Sequence, residues 1–252
     1  MLTKLLDGRV AIVTGAASAR GIGRACARIF AREGALLAIL DLDAAASEAT
    51  AAEFGAGHLG LACDVRDPRA CERAVAAVVG RHGRVDVLAN IAGISRPTRL
   101  MEVDAQEYDL VVSANLGGTF NMSRAVVPQM RAQRSGSIIG VGSVAAQRGG
   151  GVFGGAHYSA AKGAIQTLCK AMARELGPDN IRVNAIAPGL VDTDIFQGKL
   201  TPEKRREVES AVPLGRIAVP DEIASSCLYL ASDLSSYVTG IVLDINGGLH
   251  IH

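Results

Sequence analysis

The feature that most constrains this 252-residue chain is an exchange of two periodicities along its length. Short apolar runs, rich in Val, Ile, Leu and Ala and without a polar face, alternate with longer stretches in which apolar residues recur every three or four positions. The first pattern is that of a strand buried on both sides, the second that of a helix packed along one face. Residues 9–14, 36–40, 59–63, 85–90, 137–142, 181–186 and 241–245 read as strands. Residues 21–34, 43–54, 68–82, 104–133, 157–176 and 220–232 read as helices. In the first helix Ile22, Cys26, Ile29 and Phe30 share a face, and Gly34 supplies the stop.

Strands separated by helices of this length pair in parallel through right-handed crossovers. The expected fold is therefore α/β: a single-domain Rossmann fold, a doubly wound seven-stranded parallel sheet with helices on both faces. One such sheet uses the whole chain, residues 1–252, and leaves nothing for a separate substrate domain. Only residues 191–219 break the alternation. They carry the charged run TPEKRREVE and prolines 202 and 213, with Pro220 just beyond, and are a candidate substrate lid.

Twenty-six Lys and Arg against 25 Asp and Glu leave a formal charge of +1, which offers no field for nucleic acid or an anionic membrane, so neither is expected as a partner. No secretory leader is visible at the start, and no apolar run reaches the roughly 20 residues that span a bilayer, so the expected location is cytoplasmic. The five cysteines form no C-x-x-C pair and read as reduced thiols. No metal site is expected: His250 and His252 are too few ligands, and a contact with a neighbouring subunit suits them better.

The first strand runs into TGAASARGIG, with Gly15, Gly21 and Gly23 at the turn and the start of the helix. A strand, a glycine loop and a helix N-terminus make a pyrophosphate site, because backbone N–H groups and the helix dipole face the anion. Asp41, at the end of the second strand, stands where a carboxylate meets ribose hydroxyls. Farther on, Tyr158 and Lys162 lie one helical turn apart in YSAAK, a spacing at which an ammonium lowers a phenol toward the working range of a general base.

With these motifs the chain resembles the short-chain dehydrogenase/reductase family over nearly its whole length. The family's glycine motif is T-G-x-x-x-G-x-G, and the segment from Thr14 to Gly23 carries two more residues than that. The resemblance implies a dinucleotide held by Gly15, Ser18, Arg20, Gly21, Ile22 and Gly23, by Asp41, by Asp64 and Val65 beside the adenine, and by Asn90, Ala92 and Gly93. It also implies contacts from Tyr158, Lys162, Pro188, Gly189, Val191 and Thr193 on the nicotinamide side. Asn115, Ser143, Tyr158 and Lys162 match the family's catalytic set. Tyr158 would exchange the alcohol proton, Ser143 would hold the substrate oxygen, Lys162 would bind ribose hydroxyls and tune Tyr158, and Asn115 would anchor a relay water.

The implied reaction is reversible hydride transfer between a secondary alcohol and its ketone. NAD is the expected cofactor, since Asp41 repels a 2′-phosphate; NADP is the lesser expectation, because Arg20 stands where many NADP-using relatives carry a phosphate-binding Arg. The substrate walls fall on residues 94–100, 144–157 and the segment after Pro188. Gln147, Arg148, His157 and Arg96 are polar handles that favour a sugar, polyol or hydroxy acid, whereas Phe153 and Phe196 would line an apolar pocket. An NADPH-dependent 3-oxoacyl thioester reductase and a non-catalytic NAD-binding regulator stay open as alternatives. The resemblance also implies a homotetramer.

Overall fold

In the computed structural model, which describes residues 4–150, 154–194 and 201–252, the strands are β1 (Val10–Thr14), β2 (Leu36–Asp41), β3 (Leu59–Ala62), β4 (Val87–Asn90), β5 (Gly136–Val141), β6 (Ile181–Pro188) and β7 (Val242–Ile245). They form one parallel sheet in the order β3-β2-β1-β4-β5-β6-β7. Every residue of β1 is buried, as a strand with helices over both faces requires.

On one face α1 (Ile22–Arg32) and α9 (Pro220–Ala231) pack Ile29, Phe30, Ile223 and Leu230 onto Ala11, Val13 and Leu37. On the other, α3 (Pro68–His82), α5 (Gly118–Gln133) and α7 (Ala156–Leu176) pack Val75, Val78, Val126 and Ile165 onto Ile12, Leu88 and Ile138. All five cysteines are buried and free. Three helix starts are fixed by aspartates that accept a backbone N–H: Asp43 for α2 (Ala44–Glu53), Asp67 for α3 and Asp104 for α4 (Ala105–Val112). Each cap is worth about 1 kcal/mol.

The stretch 104–133, which reads as one helix, is divided. Between α4 and α5 lies a π-helical turn, Ser113–Gly117, and Pro128 sits inside α5. Hydrophobic period alone does not register one extra residue in a turn. The glycine-rich connection after β5 also holds a short helix not apparent in the pattern, α6 (Val144–Arg148). Within 191–219 the charged run forms α8 (Pro202–Ser210); residues 195–200, including Phe196, lie outside the described residues, as does Phe153. Among the described residues no helix is long and apolar enough to cross a membrane.

Strand order reverses between β1 and β4, so connections leave in opposite directions and a crevice opens beyond their carboxyl ends. Asp86 pins the opposite ends of the same strands: its buried carboxylate accepts Val10 N–H at 2.9 Å and is bracketed by Arg84 at 2.7 and 2.8 Å. Replacing Asp86 with Ala strands that N–H and takes from the half-exposed Arg84 its ion-pair partner. We expect a loss of about 2–3 kcal/mol in urea unfolding, in line with hydrogen bonds to charged groups.

Candidate active site

The glycine loop is shaped by close approach. Gly15 has φ +67°, and a Cβ there would lie 2.7 Å from the Cα of Ala92, so the turn accepts no side chain. Thr14 ties the same two segments: its Oγ1 accepts the N–H groups of Ile91 and Ala92, each at 3.0 Å. The helix α1 begins after Gly21 with no side-chain cap, which leaves its first N–H groups directed at the crevice. This is a cradle for a pyrophosphate, and the residues present fit one. Asp41 accepts Ala17 N–H at 3.0 Å and Leu42 N–H at 2.8 Å, so its carboxylate is fixed at the loop's edge.

Other expected cofactor residues have partners within the chain. Arg66 grips Asp64 with Nη2 at 2.6 Å and Nε at 2.9 Å, holding that carboxyl below its usual range. Val65 packs against Gly118, where a Cβ would meet its Cγ2 at 2.5 Å. Asn90 donates to Ser123 Oγ at 3.3 Å, in the core beneath α5. Arg20 donates to Asp192 at 2.8 Å, and Ser18 to Asp194 at 2.8 Å.

The four residues of the catalytic match converge. Ser143 lies just beyond β5 and caps α6, accepting Ala145 N–H at 3.1 Å, and its hydroxyl is near enough to the Tyr158 phenol to favour its ionised form. Tyr158 is half-buried on the first turns of α7, where Gly154 lies so close that a Cβ would touch the ring at 2.5 Å. Lys162, one turn on, is buried; Nζ donates to Val141 O at 2.8 Å and stands 5.8 Å from the Tyr158 ring centre.

Asn115 sits on the π-helical turn. Its Nδ2 donates to Ile94 O and Val111 O, both at 2.9 Å, while its buried Oδ1 has no protein partner. A Cβ placed on Gly93 would lie 2.4 Å from that oxygen and 3.5 Å from Lys162 Nζ, so amide and ammonium face one another across a bare backbone. Burial pushes the phenol of Tyr158 up and the Ser143 hydrogen bond draws it partly back; burial depresses Lys162 to about 8.

These side chains open on a cavity of about 450 Å³ between the ends of β4, β5 and β6. Ile22, Gly93, Pro188, Gly189, Val191 and Thr193, all expected to hold the cofactor, border it, together with Leu190, Val208 and Leu249. Of the four polar handles Arg148 reaches the cavity. Gln147 instead donates to Asp244 at 2.6 Å, His157 faces Glu107 at 3.2 Å between α7 and α4, and Arg96 turns back to Ser95 O at 3.2 Å. Glu207, on α8, enters the wall opposite in charge to Arg148; its solvated-looking helix gave no sign of this in the sequence.

Residues 15–250 match the family model described as Enoyl-(Acyl carrier protein) reductase. The chain is 47% identical over 253 residues to an uncharacterized short-chain type dehydrogenase/reductase of Sinorhizobium fredii, across 98% of this chain and 100% of that protein. The chain belongs to the short-chain dehydrogenase/reductase family. It is 43% identical to the 3-oxoacyl-[acyl-carrier-protein] reductase FabG of Thermotoga maritima (98% and 99% of the two chains). It is 39% identical to the D-threitol dehydrogenase of Mycolicibacterium smegmatis (98% and 94%). Its fold matches the crystal structure of a short-chain type dehydrogenase/reductase from Mycobacterium marinum with a TM-score of 0.92 at 31% identity, over 99% and 98% of the chains. As a member of this family it is an oxidoreductase of the alcohol/ketone class that works with a nicotinamide cofactor.

Burying Lys162 has a cost that pH reveals. Its folded value, about 8, lies below the ordinary 10.5, so between them the unfolded chain holds the extra proton and stability rises with pH. Below about 8 the penalty is in full force, on the order of 3 kcal/mol. Lys162→Met removes it but leaves Val141 O unpaired, which takes back about 1 kcal/mol. Urea unfolding should show the variant more stable than the parent at pH 7, with the difference shrinking by pH 10. A variant less stable at pH 7 would contradict the penalty.

Proposed function

We propose that the chain is an NAD-dependent dehydrogenase of a polar secondary alcohol, a sugar, polyol or hydroxy acid, working reversibly against its ketone. The observation that carries this reading is the convergence of Ser143, Tyr158, Lys162 and Asn115 on one cavity at the end of the glycine-loop crevice. The nicotinamide, when bound, supplies the hydride acceptor or donor. The chain does the rest. Ser143 holds the substrate oxygen and Tyr158 Oη takes the hydroxyl proton in oxidation or returns it in reduction. Lys162 holds ribose hydroxyls, and its position beside the unpaired Oδ1 of Asn115 gives the proton a polar route away from Tyr158. Apolar walls at Ile22, Val144 and Leu190 exclude water from the reacting atoms.

Two observations support NAD over NADP. Asp41 presents a fixed carboxylate at the edge where a 2′-phosphate would lie, and the guanidinium of Arg20 is occupied by Asp192. For the substrate, Arg148 and Glu207 in the wall favour hydroxylated compounds, as does the relative named D-threitol dehydrogenase. The second reading is an NADPH-dependent 3-oxoacyl thioester reductase, favoured by the FabG relative and by the apolar share of the lining, Ile94, Val208 and Leu249 among it. We also propose a homotetramer, which the exposed side chains of Tyr108 on α4 and Phe120 on α5 support as apolar contacts awaiting cover.

An alcohol panel followed by nicotinamide absorbance, with NAD and NADP separately, decides between these readings. We expect kcat/KM at least tenfold higher with NAD and turnover confined to hydroxylated substrates; a preference for NADP with oxoacyl thioesters would install the second reading. Absence of turnover on every compound, with tight NADH binding, would make the chain a regulator.

Tyr158→Phe should keep NADH binding and lose at least about 10³-fold in kcat, the scale of general acid–base catalysis. Because burial raises the phenol, oxidation by the parent should accelerate with rising pH while ketone reduction declines. Near-parental turnover in the Phe variant would remove Tyr158 from the mechanism.

A further inference from the structure

The two additional residues of the glycine loop reach a destination. Ser18 and Arg20 project from the loop onto the segment that follows β6, and there they meet a set of acceptors. Asp194 Oδ2 accepts the Ser18 hydroxyl at 2.8 Å and the backbone N–H of Arg20 at 3.3 Å. Asp192 Oδ1 accepts Arg20 Nη2 at 2.8 Å, and its Oδ2 accepts Arg205 Nη1, from α8, at 3.1 Å. Arg205 is itself steadied by Glu209 at 2.9 Å. One half-buried carboxylate thus bridges two guanidinium groups that come from opposite ends of the chain.

The bridged segment borders the cavity. Val191 and Thr193, the neighbours of Asp192, are in the cavity wall. On its other side the segment is tied by backbone: Asp192 N–H donates to Ala218 O at 2.9 Å and Ala218 N–H to Leu190 O at 3.0 Å. These bonds fix residues 190–192 but reach no farther, whereas the contacts to Ser18 and Arg20 extend the restraint across Thr193 to Asp194. A single exposed ion pair holds a loop weakly, but this network adds two charge-assisted hydrogen bonds, from the Ser18 hydroxyl and the Arg20 N–H to the Asp194 carboxylate.

We infer that Arg20, Asp192, Asp194 and Arg205 are positioning residues, a clasp that joins the glycine loop to the wall bearing Val191 and Thr193 and to α8. By this clasp the pyrophosphate end and the nicotinamide end of the cofactor site are set in one register. The inference rests on the functional reading above for what the site holds; the clasp itself rests on the contacts.

The test combines binding with motion. Arg20→Ala and Asp192→Ala should each raise the Kd for NADH, read by fluorescence titration, by about five-fold, and the double variant should be no worse than the poorer single, because the Arg20–Asp192 contact is lost in both. Arg20→Lys should recover most of the loss. Melting temperatures should stay close to the parent's. In hydrogen exchange of the cofactor-free chain, Arg20→Ala should quicken amides of residues 192–194 and of α8. Additive losses in the double variant, an unchanged Kd in both singles, or unaltered exchange beyond the glycine loop would each overturn the clasp. A parent chain that binds neither NADH nor NADPH would overturn the functional reading instead, and the exchange arm would still decide the clasp.

Discussion

The site depends on how β1 ends. Beyond Val13 the ladder to β4 stops, and while the N–H of Ile91 keeps the carbonyl of Ala89 at 3.1 Å, the N–H of Ala92 turns away from the ladder. The hydroxyl of Thr14, 1% exposed, accepts both. A Val there would fill the same volume, take the acceptor from Ala92 and leave Ile91 with Ala89 O alone. Because Thr14 draws Ala92 against Gly15, that position takes no Cβ, and because Gly15 takes φ +67° the chain turns from the strand into α1. The crevice, the open N–H groups of α1 and the approach of Gly93 to Asn115 and Lys162 follow from this one junction.

A sheet buried on both faces gains enough from its core to carry costs elsewhere, and the costs are concentrated. An ammonium held at about 8 and a carboxamide oxygen without a protein partner stand on either side of Gly93. Either would be a fault in a core built for stability alone. Violations of polar pairing that fall together in a cavity are what a proton-handling site requires, since a group must titrate or accept within range of use. His157 and Glu107 are also buried in part and close, but they join α4 to α7 away from the cavity and act on the framework of Tyr158 only through α7.

Much of this was legible in the sequence because it is local. The apolar runs give strands, the glycines between strand and helix give an anion cradle, and four positions on a helix bring Tyr158 and Lys162 to one face. What was not legible depends on partners far along the chain or on one residue of register. The π-helical turn that aims Asn115 adds a residue that a 3.6 period tolerates. Gln147, His157 and Arg96 look like polar handles until Asp244, Glu107 and a backbone carbonyl engage them. Glu207 looks like part of a solvated face, and only the placement of α8 brings it to the cavity.

Arg20 shows how cofactor choice and loop placement become one problem. Lengthening a loop by two residues costs little in closure entropy, so what matters is what the added residues meet. Arg20 places one of its guanidinium N–H groups on Asp192 at 2.8 Å, and that contact turns the fork toward the segment after β6. Were Arg20 to swing from Asp192 to a 2′-phosphate, that carboxylate would be left to Arg205 and the segment that carries Thr193 would lose one of its ties to the glycine loop. Asp41 cannot yield independently either, because its Oδ2 holds Ala17 in the same loop. If the clasp positions the wall, a switch of cofactor in this chain needs both acidic partners rearranged together, and substituting Asp41 alone would relax the discrimination while loosening the loop that delivers it.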